Sequence, residues 1–311
     1  MDVRYLLIGN YGVGNFGDEA LREYFLSAFP EVQWQIVSAN PGRGELPRLP
    51  FGVRSIFCTP WRRTVQAIRK CDGIVFGGGT LFTDVESAWA CLLWWWHAFV
   101  ARVFRKKIIL AFQGIGPFRT RLGEWCARRV VRQASFVSVR DAVSFRRVQA
   151  WRLNINIVQT CDPVFLSLQR QKAEARSQKL LCIIPRHNSS KTFFIRVGTL
   201  LRERSFGGIN ILSLQPDDSD ECAICIRLAE QTGGAIVAIR TVDDLTEAIA
   251  PASFVLTQRY HGAVAATALG IQYEAVSQGD SDKLASISPL ESAEDWRAAA
   301  LRGEGALRMA L

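Results

Sequence analysis

The sequence predicts an α/β protein with parallel sheets, and three observations carry that expectation. Short runs rich in Val, Ile, Leu and Phe alternate with helical patterns along nearly all of the 311 residues. Most of these runs are continuous rather than alternating, as strands covered on both faces are. The unusual residues (glycine clusters, isolated Arg, His and Asp) fall just after the runs, where an open parallel sheet binds ligands beyond the carboxyl ends of its strands.

Taken in order, strands are expected over residues 4–8, 34–38, 53–57, 73–76, 107–112, 136–139 and 156–159. A second series follows at 179–184, 210–214, 235–239, 254–256 and 272–276. Helical patterns lie between them at 18–29, 61–70, 122–133, 142–151, 192–204, 218–231, 242–249 and 263–270, which is the alternation of βαβ units. The polar stretch 169–178 follows Asp162-Pro163 and precedes a fresh apolar strand, so it marks the expected boundary. The reading is two Rossmann-like parallel-sheet domains facing a cleft, over residues 1–170 and 171–290. A helical tail over 291–311 has the length to pack back across them.

Composition narrows the partners. At 49% hydrophobic and 22% charged the chain is ordinary globular material. Its 38 Lys and Arg against 29 Asp and Glu leave a net charge of +9, which suits an anionic partner. The basic residues are spread out and no basic helix interleaves with aromatics, so phosphate and lipid rank above nucleic acid, and no nucleic acid is expected. Cys58, Cys71, Cys91, Cys126, Cys161 and Cys182 sit in or beside apolar segments, as reduced buried thiols do. Cys222 and Cys225 form a CxxC pair inside a helical pattern, with no second pair to complete a zinc site, and read as structural. No metal is expected. Met1 runs straight into a strand, which leaves no visible signal peptide and makes the cytoplasm the expected location.

The most apolar run, residues 88–101, holds Trp94-Trp95-Trp96 and is followed by Arg102, Arg105, Lys106 and Lys107. It is shorter than the roughly 20 residues a spanning helix needs. A helix buried against a sheet and a Trp-rich face resting on a membrane both remain open.

The chemistry-bearing clusters sit at strand ends. After the first strand come Gly9, Gly12, Gly14, Asn15, Gly17, Asp18 and Glu19. Gly12-x-Gly14-x-x-Gly17 matches the dinucleotide fingerprint, yet the strand ends near Gly9 and Ser38-Ala39-Asn40 stand where the ribose-binding acid belongs. What survives is a Gly/Asn loop that brings backbone to a ligand, with Asp18 and Glu19 in a helix's first turn, where helix capping explains them as well. Gly77, Gly78, Gly79 and Thr80 follow the fourth strand, then Gln113-Gly-Ile-Gly-Pro117 and Arg140-Asp141. The glycines suit close backbone approach or tight packing, and Arg140-Asp141 reads equally as a surface ion pair. The second half offers Arg186-His187 and the stretch Gln258-Arg259-Tyr260-His261-Gly262. His187 carries no mark beyond a polar loop. Arg259-x-His261 at a helix start joins a cation, a titratable imidazole and free backbone N–H groups, a combination suited to an anionic substrate that needs a proton moved.

These pieces resemble the polysaccharide pyruvyl transferase family. The resemblance rests on Gly9-x-x-Gly12-x-x-Asn15-x-Gly17-Asp18-Glu19-Ala20, Gly77-Gly-Gly-Thr-Leu-x-x-Asp84 and Gln113-Gly-Ile-Gly-Pro117. Ser138-Val-Arg140-Asp141, Asp162-Pro163, Arg186 and Arg259-x-His261 follow in family order. It implies a fold similar to GT-B glycosyltransferases, with the acceptor on the N-terminal side and the donor on the C-terminal side. It also implies transfer of pyruvate from phosphoenolpyruvate to a sugar of a cell-surface polysaccharide or its lipid-linked precursor, forming a ketal with release of phosphate and without a cofactor. The resemblance makes His261 and Arg140 catalytic. Arg259, Lys283, Arg186, Gly12, Asn15, Asp18, Gly78, Gly79, Thr80 and Gln113 become substrate-binding. Tyr260 and Gly262 depart from the family's common Arg-Leu-His-Ala, and Lys283 lies in a loosely matching loop. The expected partners are phosphoenolpyruvate, a glycan or lipid-linked acceptor and the cytoplasmic face of the inner membrane, with homo-oligomerisation left open. A GT-B glycosyltransferase using a nucleotide sugar and a non-catalytic membrane-associated binding protein are the competing readings.

Overall fold

The computed structural model describes residues 3–85, 87, 89–169, 179–278, 284 and 292–311. The chain divides into two compact units. The N-terminal unit comprises Met1–Val13, Leu21–Pro163 and Ala298–Leu311, and the C-terminal unit comprises Gly14–Ala20 and Val164–Arg297.

In chain order the elements of the first half are β1 (Arg4–Ile8), α1 (Phe16–Ala28), β2 (Gln33–Ser38), β3 (Leu46–Pro47), α2 (Val53–Cys58), α3 (Arg62–Lys70), β4 (Gly73–Phe82), α4 (Ala90–Val103), β5 (Lys107–Ile115), α5 (Arg121–Gln133), β6 (Phe136–Val139), α6 (Ala142–Ala150), β7 (Ile157–Gln159) and α7 (Val164–Gln169). The second half continues with β8 (Leu180–Ile184), α8 (Lys191–Glu203), β9 (Gly208–Ser213), α9 (Ser219–Thr232), β10 (Ala235–Ala238), α10 (Val242–Ile249), β11 (Ala252–Thr257), α11 (Tyr260–Ala268), β12 (Tyr273–Ala275) and α12 (Ala293–Ala310).

Both sheets are parallel throughout. The N-terminal sheet runs β3-β2-β1-β4-β5-β6-β7 and the C-terminal sheet runs β10-β9-β8-β11-β12. Each order reverses direction once, between β1 and β4 and between β8 and β11. Those reversals leave a crevice at the carboxyl ends of the strands, where open α/β sheets take ligands. The strands are apolar because both faces are covered: Leu6, Leu7, Ile8, Ile74, Val75 and Phe76 are all fully buried. In the C-terminal sheet Leu181, Ile183, Ile211 and Leu256 pack with Phe193 and Val197 of α8 and Leu228 of α9.

Local sequence explains where the helices begin. The side chains of Thr120, Asp141, Ser190 and Asp218 accept hydrogen bonds from backbone N–H groups and cap α5, α6, α8 and α9. Thr241 and Asp244 form a full capping box at α10. Asp141 is therefore a cap, and the partner of Arg140 lies elsewhere.

One expected strand is corrected. Residues 53–57 form helix α2, and the strand on that side of the sheet is the two-residue β3 just upstream. Val-Arg-Ser-Ile-Phe is too short to separate helix from strand by periodicity, and Gly52, with φ of 91°, redirects the chain before it. The helix over the Trp run, α4, buries Cys91, Trp94, His97, Ala98 and Ala101 against its own unit, which settles the buried reading for that face. No helix of the described residues is long and apolar enough to cross a membrane. Cys222 and Cys225 are free thiols, and burial pushes the Cys225 thiol up to about 11.

Candidate functional site

In the N-terminal unit the site is built on the ends of β4, β5 and β6. Gly78 and Gly79 adopt φ of 80° and 75°, a backbone conformation open mainly to glycine, and β4 runs on through them to Phe82 rather than ending at Phe76. Its register with β5 shifts after Gly79. Phe112 on β5 also takes a positive φ of 53° and donates its N–H to Ser138 Oγ at 2.8 Å. A non-glycine residue in that region is a strained position that its surroundings must hold. Gln113 does the holding: its buried Nε2 donates to the carbonyls of Phe76, Gly78 and Ala111 at 3.0, 3.0 and 3.2 Å. The Gly77 Cα faces Tyr11 and Leu7 too closely for any side chain, and the Tyr11 hydroxyl donates to the Gly77 carbonyl at 2.9 Å.

Arg140, one residue past β6, lies within this frame. Its guanidinium donates to Asp162 at 2.8 Å and to Thr80 Oγ1 at 2.8 Å. The Arg140 side chain is 4% exposed and that of Asp162 is fully buried. A Cβ on Gly114 would collide with Thr80. Asp84 completes the loop that follows β4. Burial raises its pKa, but hydrogen bonds from Thr120 Oγ1 and the backbone N–H groups of Arg119 and Thr120 outweigh that and hold it below the usual carboxylate range.

Beyond β1, β2 and β3 the same unit carries a groove of about 390 Å³, lined by Ala39, Arg48, Leu49, Phe51 and Leu93 among others. Arg48 donates to the Gly9 carbonyl and to Asn10 Oδ1 and stacks over Trp94 at 4.9 Å. Gly12, with φ of 76°, leaves no space for a Cβ beside Ser38 Oγ, and its carbonyl accepts from Asn40.

In the C-terminal unit the site is built on β8, β11 and the first turn of α1. Phe16 N–H donates to the Leu214 carbonyl at 3.2 Å, and Asn15 Nδ2 donates to Asp18 at 2.6 Å. His261, the second residue of α11, rests directly on Gly17: a Cβ there would fall inside the imidazole at Cε1 and Nδ1. The Phe16 and Tyr260 rings meet the imidazole edge-on at centroid distances of 6.0 and 5.4 Å. Arg259 immediately precedes α11 and donates to the Pro185 carbonyl, to Gln215 Oε1 and to the Glu221 carboxylate. Glu221 lies in the first turn of α9, fully buried, and also accepts from Ser213 Oγ at 3.1 Å and Gln215 N–H at 2.7 Å. Arg186 follows Pro185, with its backbone N–H donated to Ser189 Oγ at 2.9 Å.

Next to Arg259 in the chain, Gln258 is 1% exposed, with neither amide atom hydrogen-bonded among the described residues. A buried amide without partners costs on the order of 1–3 kcal/mol per group.

The structure thus brings Gly78, Thr80, Gln113 and Arg140 together in one unit, and Asn15, Asp18, Arg186, Arg259 and His261 in the other. Lys283 lies outside the described residues. The sequence reading did not assign four participants: Asp162, Glu221, Gln258 and Gly17. Asp162 and Gly17 were visible only as members of longer motifs, and Glu221 looks like an ordinary acid in a helix's first turn. Among the described residues no group of three or more His, Cys, Asp or Glu could hold a metal ion.

The fold has solved counterparts. A UDP-N-acetylglucosamine 2-epimerase from Rickettsia bellii superposes with a TM-score of 0.61 at 13% identity, over 100% of this chain and 96% of its own. The UDP-GlcNAc 2-epimerase of Neisseria meningitidis, solved with UDP-GlcNAc, gives 0.57 at 8% identity, over 99% and 100%. A glycosyltransferase from Rickettsia africae gives 0.55 at 11% identity, over 100% and 97%. At such identities the likeness is one of fold, and it is the fold of GT-B glycosyltransferases and their related epimerases. No curated protein matches the chain. Residues 15–272, most of the chain, match the family described as polysaccharide pyruvyl transferase, and to that family this chain belongs.

Proposed function

We propose that this chain transfers pyruvate from phosphoenolpyruvate to a sugar and closes it as a ketal. Membership of the family makes it a transferase with a glycan acceptor; the donor and the bond formed are the proposal. The observation that supports it most is His261, seated on Gly17 two residues past an arginine that Glu221 pre-orients.

The chemistry asks for that arrangement. The donor's methylene carbon takes up a proton, which makes C2 cationic. One sugar hydroxyl attacks C2 and the C2–O bond to phosphate breaks. A second hydroxyl then attacks C2 and closes the ring. Of the two protons released, one is retained in the new methyl group and the other leaves on phosphate. Cations must hold the donor's carboxylate and phosphate, and a group titrating near neutrality must move the protons. Arg259, two residues before His261, and Arg186 are the cations of this scheme, with Lys283 as a further candidate. His261 is the general acid–base. Asn15 and Asp18 shape the turn beside it. Arg140 acts through Thr80 and Asp162, Gln113 holds the Gly78 carbonyl, and the groove beside Arg48 suits the glycan or lipid-linked acceptor. No cofactor or metal enters the scheme, and the cytoplasmic face of the membrane is where such an acceptor would be met.

The test is phosphate release on incubation with phosphoenolpyruvate and a panel of synthetic sugar acceptors, with the product's mass gain read in parallel. His261→Ala is expected to lower kcat roughly 10²-fold; unchanged turnover removes His261 from the scheme. The fold likeness to proteins solved with UDP-sugars favours a second reading, a nucleotide-sugar glycosyltransferase. Thermal stabilisation by UDP-sugars but not by phosphoenolpyruvate would reverse the ranking.

A further inference from the structure

We infer that the outward face of α4 and α5 in the N-terminal unit docks on an anionic lipid surface. The two helices lie side by side, and each has two faces. The inner face of α4 carries Trp94, His97, Ala98 and Ala101, all buried. Its outer face, one helical stripe away, carries Trp95, Trp96, Phe99 and Val103, of which Phe99 is 41% and Val103 59% exposed. From α5, Leu122 and Trp125 add 47% and 51% exposure to the same face. The aromatics form one surface: Trp95 and Trp96 each stack on Phe99 at 5.4 and 5.6 Å, and Trp95 meets Trp125 at 5.7 Å. Trp95 and Trp96 are half-buried against the core, and with the exposed Phe99 and Trp125 they make a contiguous aromatic patch that marks an interaction surface.

The charges around the patch say what covers it. Arg102, Arg105, Arg121, Arg128, Arg129 and Arg132 are all exposed on these helices or immediately after α4. The acid on α5, Glu124, accepts from the indole N–H of Trp151 at 2.8 Å. A second copy of this chain would bring six arginines against six and be repelled. An anionic bilayer meets both needs: Trp and Phe partition to the level of the headgroups, and arginines at the rim pair with lipid phosphates. The inference is independent of the donor chemistry, because lipid binding is read without turnover.

The experiment is cosedimentation with phosphatidylcholine vesicles, with and without phosphatidylglycerol, at low and high salt. The wild-type chain is expected to partition onto the phosphatidylglycerol vesicles and to be released by salt. Phe99→Ser with Trp125→Ser, and separately Arg129→Glu with Arg132→Glu, are each expected to lower that partition on the order of tenfold. Both pairs are expected to keep the wild-type melting temperature and turnover on a soluble acceptor. The arginine pair is exposed, so it tests the idea even if the aromatic pair folds poorly. No binding by the wild type, or binding that both variants retain, overturns the inference. So does a dimer in sedimentation that Phe99→Ser with Trp125→Ser disperses.

Discussion

The two units carry the same device on strands that do not correspond, β6 and β11, and use it differently. In each, an arginine just past a parallel strand is gripped by a buried carboxylate and a neutral oxygen: Arg140 by Asp162 and Thr80, Arg259 by Glu221 and Gln215. The Arg140 side chain is 4% exposed and its surroundings are backbone and scaffold, whereas that of Arg259 is 12% exposed. Beside Arg259 lie Gln258, with its amide unpaired among the described residues, and His261 on Gly17. The difference teaches that a buried ion pair can serve either as a rivet or as a way of aiming a cation. In the N-terminal unit it fixes a strained strand end; in the C-terminal unit it leaves the cation at the edge of a chemically equipped site.

The largest expected effect tests the rivet. Asp162→Ala leaves Arg140 buried without its counter-charge, which costs about 3–5 kcal/mol. For a unit of this size that is a fall of roughly 6–20 °C in melting temperature. Glu221→Ala frees a more accessible arginine that can turn toward water, so its loss should be less than half as large, while the donor KM rises. Equal thermal losses in the two variants would break the comparison.

A second, smaller effect contrasts the units through their histidines. His97 is fully buried in the N-terminal unit; Leu49 N–H donates to its Nε2, which leaves Nδ1 to donate to the Leu93 carbonyl at 2.9 Å. Burial pushes its pKa down, the Leu93 bond partly opposes this, Arg48 adds to it, and the result is about 4 against the ordinary 6.5. Above pH 6.5 both folded and unfolded chains hold this ring neutral, so it contributes no pH dependence. As pH falls from 6.5 toward 4 the unfolded chain takes up the proton and the folded chain does not. Stability therefore drops, by up to about 3 kcal/mol. His97→Gln, which can still accept from Leu49, should flatten the fall in urea midpoint over that window. Identical slopes for wild type and variant would show that the N-terminal unit does not hold His97 neutral.

How much of this was legible in the sequence follows from the range of the interactions. Continuous apolar runs gave both sheets, because a strand buried on two faces needs no partner to be recognised. Residues 53–57 misled because a five-residue run with three apolar members fits either element, and β3 is too short to show any pattern. Arg140, Arg259 and His261 stood out because each follows such a run. Their partners did not, since Asp162 lies 22 residues from Arg140 and Glu221 lies 38 from Arg259, and each acid has an ordinary local explanation. The seat of His261 on Gly17 joins opposite ends of the chain, and nothing local to either residue announces it.

That seat gives the finest test of the comparison. Gly17 is not among the glycines with positive φ, so alanine is allowed there by the backbone and its cost is steric. The added Cβ would meet Cε1 and Nδ1 of His261 and push the ring aside. Gly17→Ala should therefore lower turnover by on the order of tenfold, about 1.4 kcal/mol of barrier. In a His261→Ala background the same change should cost almost nothing, because the colliding ring is gone and the two residues are in direct contact. The double-mutant cycle reads the coupling without needing the acceptor's identity beyond one working substrate. Additive losses would mean that Gly17 serves the turn into α1 and not the imidazole.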